Sequence, residues 1–170
     1  DNFDFENGLW RTEGVGLWRV VADGTTNFYE QSSVADGARA ITGVETADDQ
    51  IIQARALATA FGSGAGRWFG LMARYQDASN YYYITVRNDN TVSLRKLTNG
   101  VIVELDTASL SVTTDAWYTL RLEAIGSSLR AYVNGKLLLE ANDTTFARGS
   151  YGVAMYKAAI RVDDFWAVQP

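Results

Sequence analysis

The chain has 170 residues, of which 47% are hydrophobic, and carries a formal charge of −5 at pH 7. This length fits one domain, spanning residues 1–170, with enough apolar material for a core and too much for intrinsic disorder. The acidic balance argues against a nucleic-acid partner. No apolar run approaches the roughly 18 residues of a membrane-spanning helix. We therefore expect neither a nucleic acid nor a membrane as a partner.

Histidine and cysteine are both absent. Without histidine there is no Ser-His-Asp or Cys-His nucleophile pair, and the commonest general base is missing. Without cysteine there is no thiol catalysis, no zinc site built on thiolates and no disulfide. These two absences weaken the case for a catalytic function.

The first third of the chain is punctuated by turn signals, Asp23-Gly24 and Asp36-Gly37, which tolerate the positive φ of tight turns. Residues 47–60 are rich in helix-favouring Ala, Leu, Gln and Arg. The same segment fits a strand with Ile52, Ala54, Ala56 and Ala58 on one face. Because both neighbouring segments resemble strands, we predict a strand and keep a helix as the alternative.

The middle of the chain alternates between apolar and polar residues with a period of two, which is typical of strands with one buried face. Phe69, Leu71, Ala73 and Tyr75 alternate with residues that include Arg74. Similar runs follow near residues 81–87, 92–95, 118–124 and 129–133, separated by turn signals such as Asn99-Gly100 and Asn134-Gly135. About a dozen short runs at this spacing predict an all-β, antiparallel jelly-roll β-sandwich.

An ordered series of motifs also carries a family resemblance. The series comprises Asn2–Gly8, Gly70–Asp77 (GLMARYQD), Asn80–Tyr83, Asn99-Gly100, Trp117–Glu123 (WYTLRLE), Tyr132–Gly135 (YVNG) and Val162–Phe165. It resembles the concanavalin A-like lectin/glucanase superfamily, in its laminin-G-like or family-16-glucanase-like bacterial branch, from about Asn2 to Val168. The resemblance implies a non-catalytic carbohydrate-binding module that tethers a secreted polysaccharide-degrading enzyme to its polysaccharide.

Two enzyme signatures of the superfamily are missing. The Glu-x-Asp-x-x-Glu strand of family-16 hydrolases does not occur, and alginate-lyase relatives need a histidine. The acidic pairs at i, i+2, which can share one face of a strand, are Asp4 with Glu6 and Glu104 with Asp106, and neither has a same-face aromatic neighbour. A lyase or hydrolase of the same fold stays as an alternative, and a lyase would use a pair such as Arg74 and Tyr81 to neutralise a uronate. A laminin-G-like protein-adhesion domain is the other alternative.

The resemblance further implies a structural calcium ion between the first and last strands. Asp4 and Glu6 near the start match that arrangement with Asp163 and Asp164 near the end, and Asp164 is the best single ligand. Calcium takes six to eight oxygens, so carbonyls or water would complete the site. The alternative is that these four acids are solvated side chains at strand ends.

A face rich in arginine and tyrosine is the predicted binding surface. If Tyr82, Ile84 and Val86 point inward, the opposite face presents Tyr81, Tyr83, Arg87 and Arg95, and the neighbouring strand adds Arg74. Arg121 and Tyr132 join this face if their strands lie in the same sheet. The full set is Arg74, Tyr81, Tyr83, Arg87, Arg95, Arg121 and Tyr132.

Arginine outnumbers lysine twelve to three, and guanidinium groups pair with carboxylates and stack on rings. This combination predicts a polysaccharide ligand, with an acidic glycan of pectate or alginate type as a refinement. Two alternatives stay open: cross-strand Arg–Tyr pairs stabilise a sheet without any ligand, and Arg67-Trp68 beside the glycine-rich turn could form a site at the loop rim. We further expect a monomeric module of a larger, secreted bacterial protein with a covalently linked catalytic domain.

Overall fold

The computed structural model describes residues 9–24 and 26–170, which form fourteen β-strands and no helix. The strands are β1 Arg11–Gly14, β2 Trp18–Ala22, β3 Asn27–Gln31, β4 Ala38–Thr42, β5 Gln50–Phe61, β6 Trp68–Asp77, β7 Asn80–Arg87, β8 Thr91–Thr98, β9 Val101–Ser109, β10 Tyr118–Ile125, β11 Ser128–Val133, β12 Lys136–Asn142, β13 Ser150–Tyr156 and β14 Ala158–Val168. The predicted calcium ligands Asp4 and Glu6 lie outside the described residues. In the part of the chain that is described, nothing forms a helix long and apolar enough to cross a bilayer.

The strands form two antiparallel sheets of seven strands each. The first sheet has the order β1-β4-β13-β6-β7-β8-β9, and the second has the order β12-β11-β10-β5-β14-β3-β2. Neighbours in a sheet are often far apart in sequence, as with β4 beside β13 and β5 beside β14, which is typical of jelly-roll connections. The predicted jelly-roll β-sandwich is confirmed.

The segment at residues 47–60, for which helix and strand competed, contains most of β5, a twelve-residue strand. Its alternate residues Ile52, Ala54, Ala56 and Ala58 are buried in the core between the sheets, as the strand interpretation requires. β5 lies between β10 and β14 and pairs with both. Partners on both sides therefore override the local helix propensity.

The core lies between the two sheets and follows the predicted alternation. From the first sheet it takes Phe69, Leu71, Tyr82, Ile84 and Val86, all essentially inaccessible to solvent. The second sheet contributes leucines, valines and alanines of β5, β10, β11 and β14. Each sheet is thus left with one outer face, and a functional surface has to be sought there or at the loops.

A β-bulge in β6 reverses the alternation at one point. Ala73 pairs with Tyr82 and Asp77 with Asn80, so three residues of β6 oppose one of β7. Arg74 has a left-handed backbone with φ of 48°, and such a bulge redirects the side chains that follow it. The prediction that Arg74 lies on the outer face and Tyr75 in the core is therefore wrong, because the bulge exchanges their sides.

Candidate functional site

The outer face of the first sheet carries the tyrosines that the alternation predicts there. Tyr81 and Tyr83 lie opposite the main core, in a separate cluster with Tyr75, Met72 and Ile41. The rings touch each other, with centroids 5.4 Å apart for Tyr75 and Tyr81 and 5.2 Å for Tyr81 and Tyr83. Tyr81 is only 3% and Tyr83 only 2% exposed. This face is a packed aromatic layer whose central rings offer little surface to a ligand.

Two of the arginines predicted for this face, Arg87 and Arg95, are in ion pairs. Arg95 lies 2.8 Å from Glu104, whose pKa it lowers through a hydrogen bond. Arg87 lies 2.8 Å from Asp89 at the end of β7. Burial raises the pKa of Tyr83 to about 12, so this phenol stays protonated at neutral pH.

Arg74 is buried at the end of the sandwich. Its guanidinium donates hydrogen bonds to the backbone carbonyls of four residues, at 2.8 to 3.1 Å, and lies 3.4 Å from a carboxylate oxygen of Asp49. The four carbonyls belong to Asp48, Ala124, Gly126 and Phe146. With its donors occupied and 3% of its surface exposed, Arg74 cannot reach a glycan, and the Arg74–Tyr81 pair suggested for a lyase does not form a site.

The two remaining predicted residues lie on the other sheet. Arg121 is on β10 and Tyr132 on β11, both in the second sheet, so the condition for joining the face of Tyr81 and Tyr83 is not met. The register pairs Arg121 with Tyr132 on one side and with Gln53 of β5 on the other, and Gln53 pairs in turn with Trp166 of β14. We call the four residues Tyr132, Arg121, Gln53 and Trp166 the cross-strand row.

The row places a guanidinium between two accessible aromatic rings. The Arg121 guanidinium carbon is 5.7 Å from the centroid of the Tyr132 ring and 5.8 Å from that of Trp166, within the range of cation–π attraction. Trp166 is 36% exposed, in contrast to the central tyrosines of the first sheet. Immediately before the strand of Arg121, Trp117 lies under the guanidinium of Arg55, at 4.8 Å from the ring centroid.

A shallow cleft of about 340 Å³ lies along this row. Its lining residues are Gln53, Thr119, Arg121, Glu123, Tyr132 and Gly135. Arg121 is held by Glu123, two positions along β10, through contacts of 2.6 and 2.8 Å to one carboxylate oxygen. The other oxygen of Glu123 accepts a hydrogen bond of 3.4 Å from the Tyr132 hydroxyl. Glu123 therefore fixes both the guanidinium and the ring.

Two uncharged polar side chains of the cleft have no hydrogen bond within residues 9–24 and 26–170. These are the amide of Gln53 and the hydroxyl of Thr119, both half-buried. Their polar atoms are not among the buried atoms without a partner, so they are open to the solvent in the cleft. Their donors and acceptors can therefore be satisfied by water or by ligand hydroxyls.

Ion pairs cover the remainder of this outer face. Glu30 of β3 pairs with Arg19 and Arg161, both at 2.9 Å. Burial acts to raise the pKa of Glu30, but hydrogen bonds from the two arginines outweigh it and the pKa is lowered. Arg55 lies 3.2 Å from Asp164, and Arg130 lies 3.0 Å from Glu140.

Glu104 and Asp106, the candidate catalytic pair, do not lie on the same side of β9 and so cannot flank a single glycosidic bond. The register shifts between Leu94 and Arg95, so that these residues pair with Asp106 and Glu104 and leave Leu105 as the extra residue. Glu104 binds Arg95 on the outer face, whereas Asp106 accepts a hydrogen bond from the backbone of Glu140 in β12. The bulge thus separates the two carboxylates that a hydrolase would need on either side of a bond.

Of the four predicted calcium ligands, Asp163 and Asp164 lie within the described residues, at a bulge in β14. Asp164 has φ of 50° and pairs with Arg55, and its backbone N–H donates to the carboxylate of Asp163 at 2.8 Å. Burial, together with the charge of Asp164, raises the pKa of Asp163. Within residues 9–24 and 26–170 no three acidic side chains gather in a way that could hold a metal ion. Two aspartates alone supply fewer oxygens than calcium requires.

The sequence interpretation missed Gln53, Thr119, Glu123 and Trp166 as parts of a site. The alternation of β5 already placed Gln53 opposite Ile52 and Ala54, but nothing in the sequence indicates that β5 lies beside β10. Trp166 follows the bulge at Asp164, which hides its orientation from a simple period of two. Trp68, which belongs to the alternative site at the loop rim, is half-buried and packs against Tyr83, with ring centroids 5.3 Å apart.

The fold is similar to that of several β-sandwich proteins of known structure. The carbohydrate-binding module CBM66 from Bacillus subtilis is similar in structure, with a TM-score of 0.77 and 20% identity over 94% of each chain. The β-glucanase of Bacillus licheniformis has a TM-score of 0.69 at 13% identity, over 99% of this chain and 95% of that chain.

An alginate lyase of polysaccharide lyase family 7 has a TM-score of 0.65 at 13% identity, over 92% of this chain and 83% of that chain. The sequence matches no family model, and no curated protein matches it. At such identities the likeness establishes the fold, and this fold serves both binding modules and enzymes.

Proposed function

We propose that the protein is a non-catalytic carbohydrate-binding module whose ligand lies on the outer face of the second sheet. The observation that carries the proposal is the cross-strand row, in which two accessible rings flank a fixed guanidinium beside a shallow cleft. Aromatic rings offer apolar surface to the C–H faces of sugar rings, and the neighbouring polar groups can bind hydroxyls. The similarity in fold to a carbohydrate-binding module supports this choice.

The proposal includes the setting that the sequence predicts. The module would tether a secreted, bacterial polysaccharide-degrading enzyme to its polysaccharide through a catalytic domain linked to it, and would act as a monomer. The separation of Glu104 from Asp106 and the burial of Arg74 favour binding over catalysis. The alternative of a lyase or hydrolase would require product formation from a polysaccharide, and that of protein adhesion would require a protein partner and no glycan.

Affinity electrophoresis tests the proposal. The protein should be retarded in gels that contain at least one soluble polysaccharide, without shortening the polymer. Trp166→Ala and Tyr132→Ala should each weaken the retardation at least about fivefold, because each removes a ring on which a sugar would stack.

The matched control is Tyr156→Ala, which removes a half-buried ring with cation–π partners from the first sheet. It should leave the retardation unchanged. Equal losses in all three variants would contradict a site on the second sheet, and no retardation by any polysaccharide would contradict carbohydrate binding.

We also propose that a calcium ion stabilises the fold through Asp163 and Asp164, with Asp4 and Glu6 completing the carboxylate set. The buried position of Asp163 and its raised pKa support a site where a cation would relieve the repulsion between two adjacent carboxylates. The ion would hold strands together and would take no part in chemistry.

A further inference from the structure

We propose that the cross-strand row selects a neutral polysaccharide and discriminates against acidic ones. This inference rests on the proposed function and names its ligand class. It differs from the sequence prediction of an acidic glycan, which followed from the excess of arginine.

The charge of Arg121 is already used within the protein. Glu123 holds the guanidinium at 2.6 Å, and the two side chains project from the same face of β10 two residues apart. A uronate carboxylate would have to displace Glu123, which is 91% removed from solvent and cannot leave. The incoming acid would therefore be repelled by Glu123 about as strongly as it is attracted by Arg121.

The groups of the cleft that still lack partners are uncharged. The Gln53 amide can both donate and accept, and so can the Thr119 hydroxyl. Sugar hydroxyls have the same dual capacity, so they can satisfy both groups without any change in charge. A site whose free polar groups are neutral and whose charged groups are paired favours a neutral ligand.

The other arginines of this face are also held in ion pairs. The four are Arg19, Arg55, Arg130 and Arg161, of which Arg19 and Arg161 share Glu30, so the face carries little excess positive charge. The chain as a whole carries a charge of −5, which repels polyanions at long range in low salt.

The test compares wild-type protein on neutral and acidic glycans at low and high salt. Hydroxyethylcellulose, mixed-linkage β-glucan, galactomannan and a soluble fructan serve as neutral probes, with alginate and polygalacturonate as acidic probes. We expect retardation by at least one neutral glycan, with less than about a twofold change in affinity on adding salt, and none by the acidic probes.

The variant Glu123→Gln frees Arg121, and Glu140→Gln is its matched control because it makes the same charge change on the same face beside Arg130. We expect Glu123→Gln to gain retardation on an acidic glycan that high salt abolishes, and Glu140→Gln to gain none. Thermal unfolding of both variants shows that they are folded.

The two levels of the proposal fail differently. Wild-type binding to alginate or polygalacturonate that high salt abolishes would overturn the neutral-ligand inference and leave carbohydrate binding intact. Identical behaviour of Glu123→Gln and Glu140→Gln on acidic glycans would overturn the role given to Glu123. Retardation by no glycan at all would overturn the proposed function itself.

Discussion

At the scale of single residues, Arg74 is a structural arginine. It closes one end of the sandwich by donating to four carbonyls from three separate loops or strand ends. Gly149 makes this possible, since a Cβ there would lie 2.4 Å from the carbonyl carbon of Arg74. One side chain thus ties together carbonyls from three segments at this end of the sandwich, two of them from buried residues.

Replacing Arg74 with Met should lower the free energy of unfolding by about 3–5 kcal/mol, because buried carbonyls and Asp49 lose their donor. Arg74→Lys should recover only part of the loss, since an ammonium cannot reproduce the planar fork. Urea unfolding at neutral pH measures both. Arg130→Met, at an exposed ion pair, is the control and should cost less than about 1 kcal/mol.

A loss at Arg74 no larger than that at Arg130 would show that the carbonyls find other donors. The sequence could not predict this role. A strict period of two places Arg74 on the outer face of the sheet. A left-handed φ is common for glycine and asparagine, but nothing in the local sequence indicates it at an arginine.

At the scale of elements, a carboxylate joins the loop after β12 to the first sheet. Asp143 accepts hydrogen bonds from Tyr82 of β7 at 2.6 Å, from Lys96 of β8 at 2.5 Å and from the backbone of Thr145 at 2.8 Å. The Tyr82 hydroxyl accepts in turn from the backbone of buried Phe146 at 3.1 Å. Burial acts to raise the pKa of Asp143, but the hydrogen bonds outweigh it and hold the pKa well below its usual range.

This contact should make stability depend on pH. Because the pKa of Asp143 is lower in the folded state than in the unfolded chain, its contribution is complete at neutral pH. It is lost progressively below about pH 4, as the pH falls toward the folded pKa. Asp143→Asn should therefore lower the free energy of unfolding by about 1–3 kcal/mol at neutral pH, with the difference from wild type shrinking on acidification.

Urea unfolding at a series of pH values measures this difference. Asp36→Asn, at a largely exposed ion pair with Lys157, is the control and should show no comparable pH dependence. A constant difference between wild type and Asp143→Asn across the acidic range would contradict the assignment.

The elements themselves were largely predictable because most strands have one buried face. The alternation identified β6, β7, β8, β10 and β11, and asparagine-glycine turns marked the hairpins β8–β9 and β11–β12. Two features of the fold could not be predicted from the sequence. Bulges in β6, β9 and β14 shift the alternation without a sequence signal, and sheet membership of β10 and β11 depends on long-range pairing with β5 that a local pattern does not contain.

At the scale of the whole molecule, calcium should act on stability alone. If Asp163 and Asp164 hold the ion, millimolar calcium should raise the melting temperature relative to chelator, with a gain of about 2.7 kcal/mol when calcium is at a hundred times its dissociation constant. Differential scanning calorimetry measures the shift, and Asp164→Asn should abolish it. Asp77→Asn, at an exposed turn, should retain the shift, and identical midpoints of the wild type with calcium and with chelator would contradict the site.

The candidate site was predictable only in part for the same long-range reason. The sequence singled out Arg121 and Tyr132 as glycan-binding residues, but it grouped them with a tyrosine layer that belongs to the other sheet. Gln53 is more than 60 residues away from both along the chain, and Trp166 follows a bulge. The packing of the two sheets, which depends on the total core volume, decides which faces remain open.

The direction of the cross-strand row determines how long an oligosaccharide must be to bind with full affinity. The row runs across β11, β10, β5 and β14, and three gaps of about 4.8 Å separate the backbones of Tyr132 and Trp166 by roughly 14 Å. Their ring centroids lie closer together, since each is within 5.8 Å of the Arg121 guanidinium carbon. An oligosaccharide that reaches only one ring gains half of the stacking. Affinity should therefore climb with degree of polymerisation until a chain bridges both rings, and then level off, so that the number of strands rather than their length sets the footprint.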